Sequence, residues 1–277
     1  MGNNRTDLYQ TFSDPLSQAV AERDNNAVEL VRSALKDDRA MLAFQPVIRT
    51  DAPDQPAFYE GLIRIMDKSG RIIPARDFID HVELDVLGRE IDCTALRLGL
   101  EALKKVPTLR LSVNMSARSI GYPRWKKILN RGLREDPTLG DRLILEITER
   151  SAMVMPDIVQ AFMADLQKKG IAFALDDFGA GYTAFRYLRD FFFDILKIDG
   201  SFIQGVHAKP DNIVLTEALV SLARHFDMLT VAEKVESEAD AECLTRIGVD
   251  CMQGYFFGVP TVRPLWMPDD DLSLKTA

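Results

Sequence analysis

Ile171-Ala172-Phe173-Ala174-Leu175-Asp176-Asp177-Phe178 is the stretch whose reading decides the fold. Its unbroken apolar run reads as a β-strand covered on both faces, as in a parallel sheet packed under helices. Two carboxylates stand at its downstream end, where a buried charge is costly unless it is paired or binds a cation. Working outward, the same arrangement recurs. Gln45 stands in LAFQPVI, Glu60 in AFYEGLIRI, Asn114 in LRLSVNMS and Glu146 in LILEITE. Lys197 follows in ILKID, Glu233 in LTVAEKV and Gln253 in CMQGYFF. A lone glutamate at a strand end is more often a salt-bridge partner or a helix cap. A series of such residues at equivalent positions describes a site built from many strand ends.

Helical periods separate the strand segments. Leu87, Ile91, Ala95, Leu98 and Ala102 form one stripe, and Ile158, Phe162, Met163 and Leu166 a second that Gly170 stops. Ile213, Ala218, Leu219 and Leu222 form another; Ala241, Leu244 and Ile247 precede Gly248. Near the start, Asn25-Asn26 can cap a helix carrying Ala27, Val28, Val31, Ala34 and Leu35. Strand-helix alternation predicts an α/β fold, and eight strands fit a TIM-type (β/α)8 barrel whose active site lies at the strand C-termini. Only DAPDQP separates the first two strands, too little for the crossover a parallel pair needs. The expectation is therefore a modified barrel with an antiparallel first strand. Residues 1–24 read as an N-terminal extension that can be helical, 25–262 as the barrel, and 263–277 as a C-terminal tail made loose by the Pro268–Asp271 cluster.

Composition narrows the chemistry. The chain has 277 residues, 47% hydrophobic and 27% charged, ordinary globular values. No apolar run approaches the roughly 20 residues that span a bilayer, and no signal peptide opens the chain. A cytoplasmic protein with no membrane segment is expected. The MGNNRT opening matches a myristoylation pattern too short to outweigh an ordinary polar terminus. A net charge of −8 argues against binding a nucleic-acid polymer. Cys93, Cys243 and Cys251 lack metal-ligand spacing and read as reduced core thiols. His81, His207 and His225 all fall outside the strand-end series. Zinc is thus disfavoured, and oxygen ligands point to Mg²⁺, Mn²⁺ or Ca²⁺.

Glu60, Glu146, Asp176, Asp177 and Glu233 would place five negative charges on one face. Two like charges about 4 Å apart cost about 4 kcal/mol at an effective dielectric near 20. Two divalent cations would nearly neutralise the group, with Asn114 as a neutral oxygen ligand. A two-metal site suits in-line attack of water on a phosphodiester. Lys197 could orient or deprotonate that water. Adjacent Asp176 and Asp177 can serve two ions only if the strand has just ended, because strand residues alternate in direction.

Together these residues resemble the EAL-domain family of cyclic di-GMP phosphodiesterases. The matching segments are Glu60-Gly61-Leu62-Ile63-Arg64, Ser112-Val113-Asn114-Met115-Ser116 and Leu145-Glu146-Ile147-Thr148-Glu149. Asp176-Asp177-Phe178-Gly179-Ala180-Gly181-Tyr182, the most specific, comes next. Leu196-Lys197-Ile198-Asp199, Ala232-Glu233-Lys234-Val235-Glu236 and Gln253-Gly254-Tyr255-Phe256-Phe257 complete the order. The resemblance implies Glu60, Asn114, Glu146 and Asp176 on one ion, and Asp176 with Asp177 on a second that Glu233 helps to hold through water. It implies Lys197 as the water-positioning residue, with Glu60 and Glu233 in the catalytic set. Gln45, Arg64, Glu236 and Gln253 are implied on the substrate side. Glu149 would anchor the loop after Asp177, a loop linked in the family to homodimers.

Three departures stand out: Gly61 in place of alanine, Lys234 in place of glycine, and an altered turn at 81–88. The lysine could crowd the second ion or compete with its charge. The expected function is hydrolysis of cyclic di-GMP to linear pGpG with two Mg²⁺ or Mn²⁺ ions. The alternatives are a non-catalytic cyclic di-GMP receptor signalling through a partner, and an enolase-like proton abstractor, which usually carries a separate capping domain.

Overall fold

The computed structural model describes residues 15–180 and 188–267. The MGNNRT opening, Gly181-Tyr182 and the Pro268–Asp271 cluster lie outside those residues. Helix α1 (Pro15–Lys36) leads into β1 (Ala40–Arg49) and β2 (Pro56–Met66), followed by the short β3 (Ile72–Pro74). After the single turn α2 (Ile79–Val82) come α3 (Val86–Lys105), β4 (Leu111–Asn114), α4 (Pro123–Glu135) and β5 (Leu143–Thr148). The turn α5 (Glu149–Ala152) and α6 (Pro156–Gln167) precede β6 (Ala172–Phe178) and β7 (Ile195–Ile198). The turn α7 (Gly200–Ile203), α8 (Pro210–His225), β8 (Leu229–Ala232), α9 (Glu238–Ile247) and β9 (Cys251–Met252) follow.

The strands close in the order β1-β9-β8-β7-β6-β5-β4-β2, with a further β1–β2 pairing sealing the ring and β3 attached outside it to β2. This is an eight-stranded barrel. β1 runs antiparallel to both β2 and β9, while the remaining neighbours in the ring are parallel. The predicted reversal of the first strand is present, because six residues turn a hairpin but cannot cross over a sheet.

Asn25-Asn26 do not cap a helix: α1 continues through both. Asparagine inside a helix costs only about half a kcal/mol, which the docking of Val31 and Ala34, both fully buried, more than offsets. The predicted stripes all fall on helices, α3, α6, α8 and α9, and Gly248 ends α9 in the left-handed conformation expected of a stop. In the described start of the tail, Trp266 meets Phe44 and Tyr59 edge-on at ring-centroid distances of 4.8 and 5.4 Å, while Leu265 is exposed.

Two apolar layers hold the barrel. The large outer one fills the space between helices and strands, with Trp125, Phe78 and Phe173 at its bulky points. The small one lies inside the ring and takes one residue from each of seven strands: Val47, Phe58, Ile144, Ala174, Ile195, Val231 and Cys251. Side chains two residues apart on a strand share a face. The next inward position toward the C-terminal mouth is therefore Gln45 on reversed β1, and Glu60, Glu146, Asp176, Lys197, Glu233 and Gln253 on or just beyond the others. The apolar ring is the floor on which the polar residues stand.

Candidate functional site

Lys197 is the centre of that polar layer. It is 1% exposed, and its Nζ lies 2.7 Å from Glu146, 2.8 Å from Asp176, 2.9 Å from Glu233 and 3.5 Å from Glu60. Burial pulls its pKa down, but the carboxylates of Asp176, Glu146, Glu233 and Glu60 outweigh that and hold it well above the ordinary lysine value. In this arrangement Lys197 is the cation at the centre of the carboxylates.

The carboxylates are displaced the other way. Burial, joined by Glu60, raises Glu146 well above the ordinary glutamate value against the pull of Lys197. Burial also pushes Glu233 up to about 8, with Asp176 and Glu60 adding and Lys197 opposing. Glu60 is the hub of the neutral partners. It accepts from Asn114 Nδ2 at 2.8 Å and from Gln253 Nε2 at 2.6 Å. Gln253 also donates to Gln45 Oε1, and Gln45 donates onward to the Gly258 carbonyl. Those bonds fix both amides across the β1–β9 seam.

Asp177 reaches the site by a route the sequence did not specify. The strand does not end at Asp176; β6 continues through Phe178. Asp177 instead adopts a left-handed φ of 54°, and the register with β7 shifts between Leu175 and Phe178. This bulge breaks the alternation and turns the second carboxylate toward the mouth beside the first. Asp176, Asp177 and Glu233 consequently offer oxygens that all lie within 4.8 Å of one another. Burial and the neighbouring Asp176 raise the Asp177 carboxyl, while Lys197 and Lys234 oppose.

The residues fit hard divalent cations. The donors are oxygens throughout, five carboxylates face one ammonium, and Glu146 Oε1 and Gln253 Oε1 are buried without a hydrogen-bond partner. Buried polar atoms in folded proteins nearly always have partners, so each of these orphaned acceptors is open to a cation or a water.

The rim residues divide. Arg64 is half-buried on β2 and donates to the Ile63 carbonyl at 3.0 Å. Glu149 is buried and accepts from the Gly179 backbone at 3.3 Å, tying the start of α5 to the segment after Asp177. Glu236 is exposed and accepts a hydrogen bond from Gln204 Nε2 at 3.2 Å. Lys234 does not project into the cluster. Its ammonium pairs with Asp199 Oδ2 at 3.3 Å.

One supporting residue escaped sequence reasoning. Asp92 on α3 accepts from the Ser116 backbone at 3.0 Å and from Ser119 Oγ at 2.5 Å. Ala117 of the same segment bonds Ser151 Oγ at 2.8 Å, and the Ser151 backbone bonds Thr148. The chain after Asn114 is thereby tied to the chain after Glu146. Burial pushes the Asp92 carboxyl up to about 7, although both serine donors resist. The available signal was an aspartate between Ile91 and Cys93 in a stripe otherwise apolar.

The EAL domain profile matches residues 28–260. The chain belongs to the EAL domain family. Escherichia coli (strain K12) cyclic di-GMP phosphodiesterase PdeF is 30% identical over 236 residues, covering 83% of this chain and 31% of PdeF. The chain thus spans about a third of the length of that relative. The solved phosphodiesterase PaMucR, in a c-di-GMP complex, is 28% identical with a TM-score of 0.73, covering 89% of this chain and 99% of that one. The FimX EAL domain from Pseudomonas aeruginosa bound to c-di-GMP has a TM-score of 0.78 over 86% of this chain and 97% of its own, at 23% identity. That likeness shows the fold. Among the described residues, no helix is long and apolar enough to cross a membrane.

Proposed function

We infer that this EAL domain hydrolyses cyclic di-GMP to linear pGpG, using two Mg²⁺ or Mn²⁺ ions. The observation that carries this is the buried cage of Glu60, Glu146, Asp176 and Glu233 around Lys197, with Asp177 turned beside it and acceptor oxygens left unpartnered. Glu60, Asn114, Glu146 and Asp176 would hold one ion, and Asp176, Asp177 and Glu233 the other. Bound there, the ions would supply Lewis acidity toward water and the phosphoryl oxygens.

The chain's own residues do the remaining work. Lys197, at the centre of the cage, orients the attacking water. An O–P bond forms as the bond from phosphorus to the 3′ oxygen breaks, and that oxygen takes up a proton, leaving a 5′-phosphate on the linear product. Gln45 and Gln253, pinned across the seam, line the substrate side. Arg64 offers a planar donor fork suited to a phosphate. Glu236 has the least support for a substrate contact, because it is exposed and bonded to Gln204. Glu149 holds the segment after Asp177, the face on which a homodimer would form; sedimentation across concentrations reads that assembly directly.

A non-catalytic receptor has one observation in its favour: Lys197 alone bridges four carboxylates. Incubation with cyclic di-GMP in saturating Mn²⁺, resolved by chromatography, decides between them. Linear pGpG is expected, lost in chelator and in Glu60→Ala. Tight binding without cleavage would establish the receptor instead.

A further inference from the structure

Strand β4 ends at Asn114, and the sheet supports the chain for one residue more: the Met115 N–H donates to the Glu146 carbonyl at 2.9 Å. The next N–H groups need other partners, because a buried donor left unpaired is costly. Two helices supply them. Ser116 N–H donates to Asp92 Oδ2 on α3 at 3.0 Å, and Ala117 N–H donates to Ser151 Oγ on α5 at 2.8 Å. The buried Ser119 donates its hydroxyl to the same Asp92 oxygen at 2.5 Å. Arg118 and Ser119 close the turn locally, on Ser116 Oγ and on the Ser116 carbonyl.

The reach of Asp92 follows from how α3 lies on β4. The short link from Lys105 to Leu111 makes the two antiparallel. Gly99 lets them approach closely, since a Cβ there would come 2.9 Å from Val113 Cγ2. Asp92 stands two turns before Gly99 on the same helix face, a rise of about 10 Å. Ser116 lies beyond Val113 by about 10 Å of extended chain. The two steps lead to the same place.

Stability does not account for an acid there. Among the described residues no cation pairs with Asp92, and burial pushes its carboxyl up to about 7 against both serine donors. What a carboxylate supplies is two charge-assisted bonds, shorter and stronger than those of a neutral acceptor. Both grip the chain just past Asn114, whose amide nitrogen donates to Glu60 Oε1 at 2.8 Å and whose backbone is in register with Glu146.

We propose that Asp92 is a positioning residue for the cation position of Glu60, Asn114 and Glu146, holding from α3 the segment that sets where the Asn114 amide stands. This rests on the two-cation reading above. The other position depends on Asp177 and Glu233, which belong to β6 and to the chain after β8, so it lies outside the grip of Asp92.

Asp92→Ala, Asp92→Asn and Leu96→Ala, compared with the wild-type domain, test this. Leu96 is buried on the same helix and makes none of these bonds, so its variant reports a general loosening of α3. In chelator, amide hydrogen exchange at Ser116 should be roughly tenfold faster in Asp92→Ala than in Leu96→Ala or wild type. In calorimetric titration one Mn²⁺ should bind Asp92→Ala roughly tenfold more weakly, the low end for outer partners of metal ligands, with the other ion unchanged. Asp92→Asn, which keeps an acceptor oxygen, should stay within about threefold of wild type for that ion, and Leu96→Ala should match wild type for both. If Asp92→Ala does not fold, Ser119→Ala, which removes one of the two bonds, should weaken the same ion about threefold. Unchanged exchange at Ser116 would overturn the role of Asp92 alone, as would unchanged Mn²⁺ affinities, equal weakening of both ions, or an asparagine variant as impaired as alanine. No Mn²⁺ bound by any form would overturn the two-cation reading and this role with it.

Discussion

Ile195 and Lys197 lie on the same face of one four-residue strand, and both are buried. Ile195 joins an apolar ring that needs only shape to be satisfied, whereas Lys197 joins a ring satisfied only by opposite charge. The step between them is repeated around the barrel: Phe58 to Glu60, Ile144 to Glu146, Ala174 to Asp176, Val231 to Glu233, Cys251 to Gln253. The floor is stable by itself, while the mouth is stable only as a balanced set. A hydrophobic layer directly beneath the charges also excludes water from one side, which strengthens every interaction in the cluster. The fold thus concentrates charge where its own core can tolerate it.

The contrast can be broken most forcefully at Lys197. Replacing it with methionine leaves four buried carboxylates facing one another, and should cost about 3–5 kcal/mol of stability in chelator. Denaturant titration should find part of that loss recovered in Mn²⁺; a variant as stable as wild type without metal would mean that the mouth is not charge-balanced. Turnover should be lost under both conditions.

Ile195→Ala attacks the floor instead. The expected loss is about 2–4 kcal/mol from lost burial and the cavity left behind. Here added Mn²⁺ should recover nothing beyond the stabilisation it gives the wild type, the opposite of Lys197→Met. Equal recovery in the two variants would show that floor and mouth are not separable.

Asp92 sharpens the comparison beyond the barrel, since it is a buried acid outside the cluster. Its folded pKa of about 7 lies above the unfolded value. The stability it contributes is therefore fully present below the unfolded pKa and is lost as pH rises through about 7. Asp92→Asn removes this titration. The stability difference between wild type and variant should fall between pH 4 and pH 7 and level off above it. Denaturation curves at a series of pH values check this, and a difference independent of pH would place the carboxyl in a more solvated setting.

Gly61 gives the smallest expected effect. A Cβ there would meet the Ser112 carbonyl at 3.2 Å and leucine methyls of Leu42 and Leu111 at 3.3 and 3.4 Å. The leucines can yield by tenths of an ångström, so Gly61→Ala should gain about 0.5 kcal/mol from reduced chain entropy. A thermal melt reads the sign. A clear loss would show that the strand beside Glu60 is too tightly packed to accept a methyl.

Much of the fold was legible because its signals are local. Apolar runs marked the strands, a 3.6-residue period marked α3, α6, α8 and α9, and a six-residue link forced β1 to run backwards. The polar series was legible for the same reason, since each member ends its own apolar run. The floor beneath it was not, because an inward alanine or cysteine in a strand looks like any other core residue. Asp92 was missed because its partners, Ser116 and Ser119, lie more than twenty residues downstream and meet it only when α3 packs on the barrel.

What the sequence determined by itself, then, is which residue types stand at which strand ends, because hydrophobic period and loop length are properties of neighbours along the chain. Only the tertiary structure decided that Lys197 touches four carboxylates, that a left-handed bulge turns Asp177 beside Asp176, and that Lys234 lies over Gly200 with its charge on Asp199. The physical reason is range. Backbone direction and charge balance at the mouth are set by groups from distant segments that come within a few ångströms only once the ring of strands has closed.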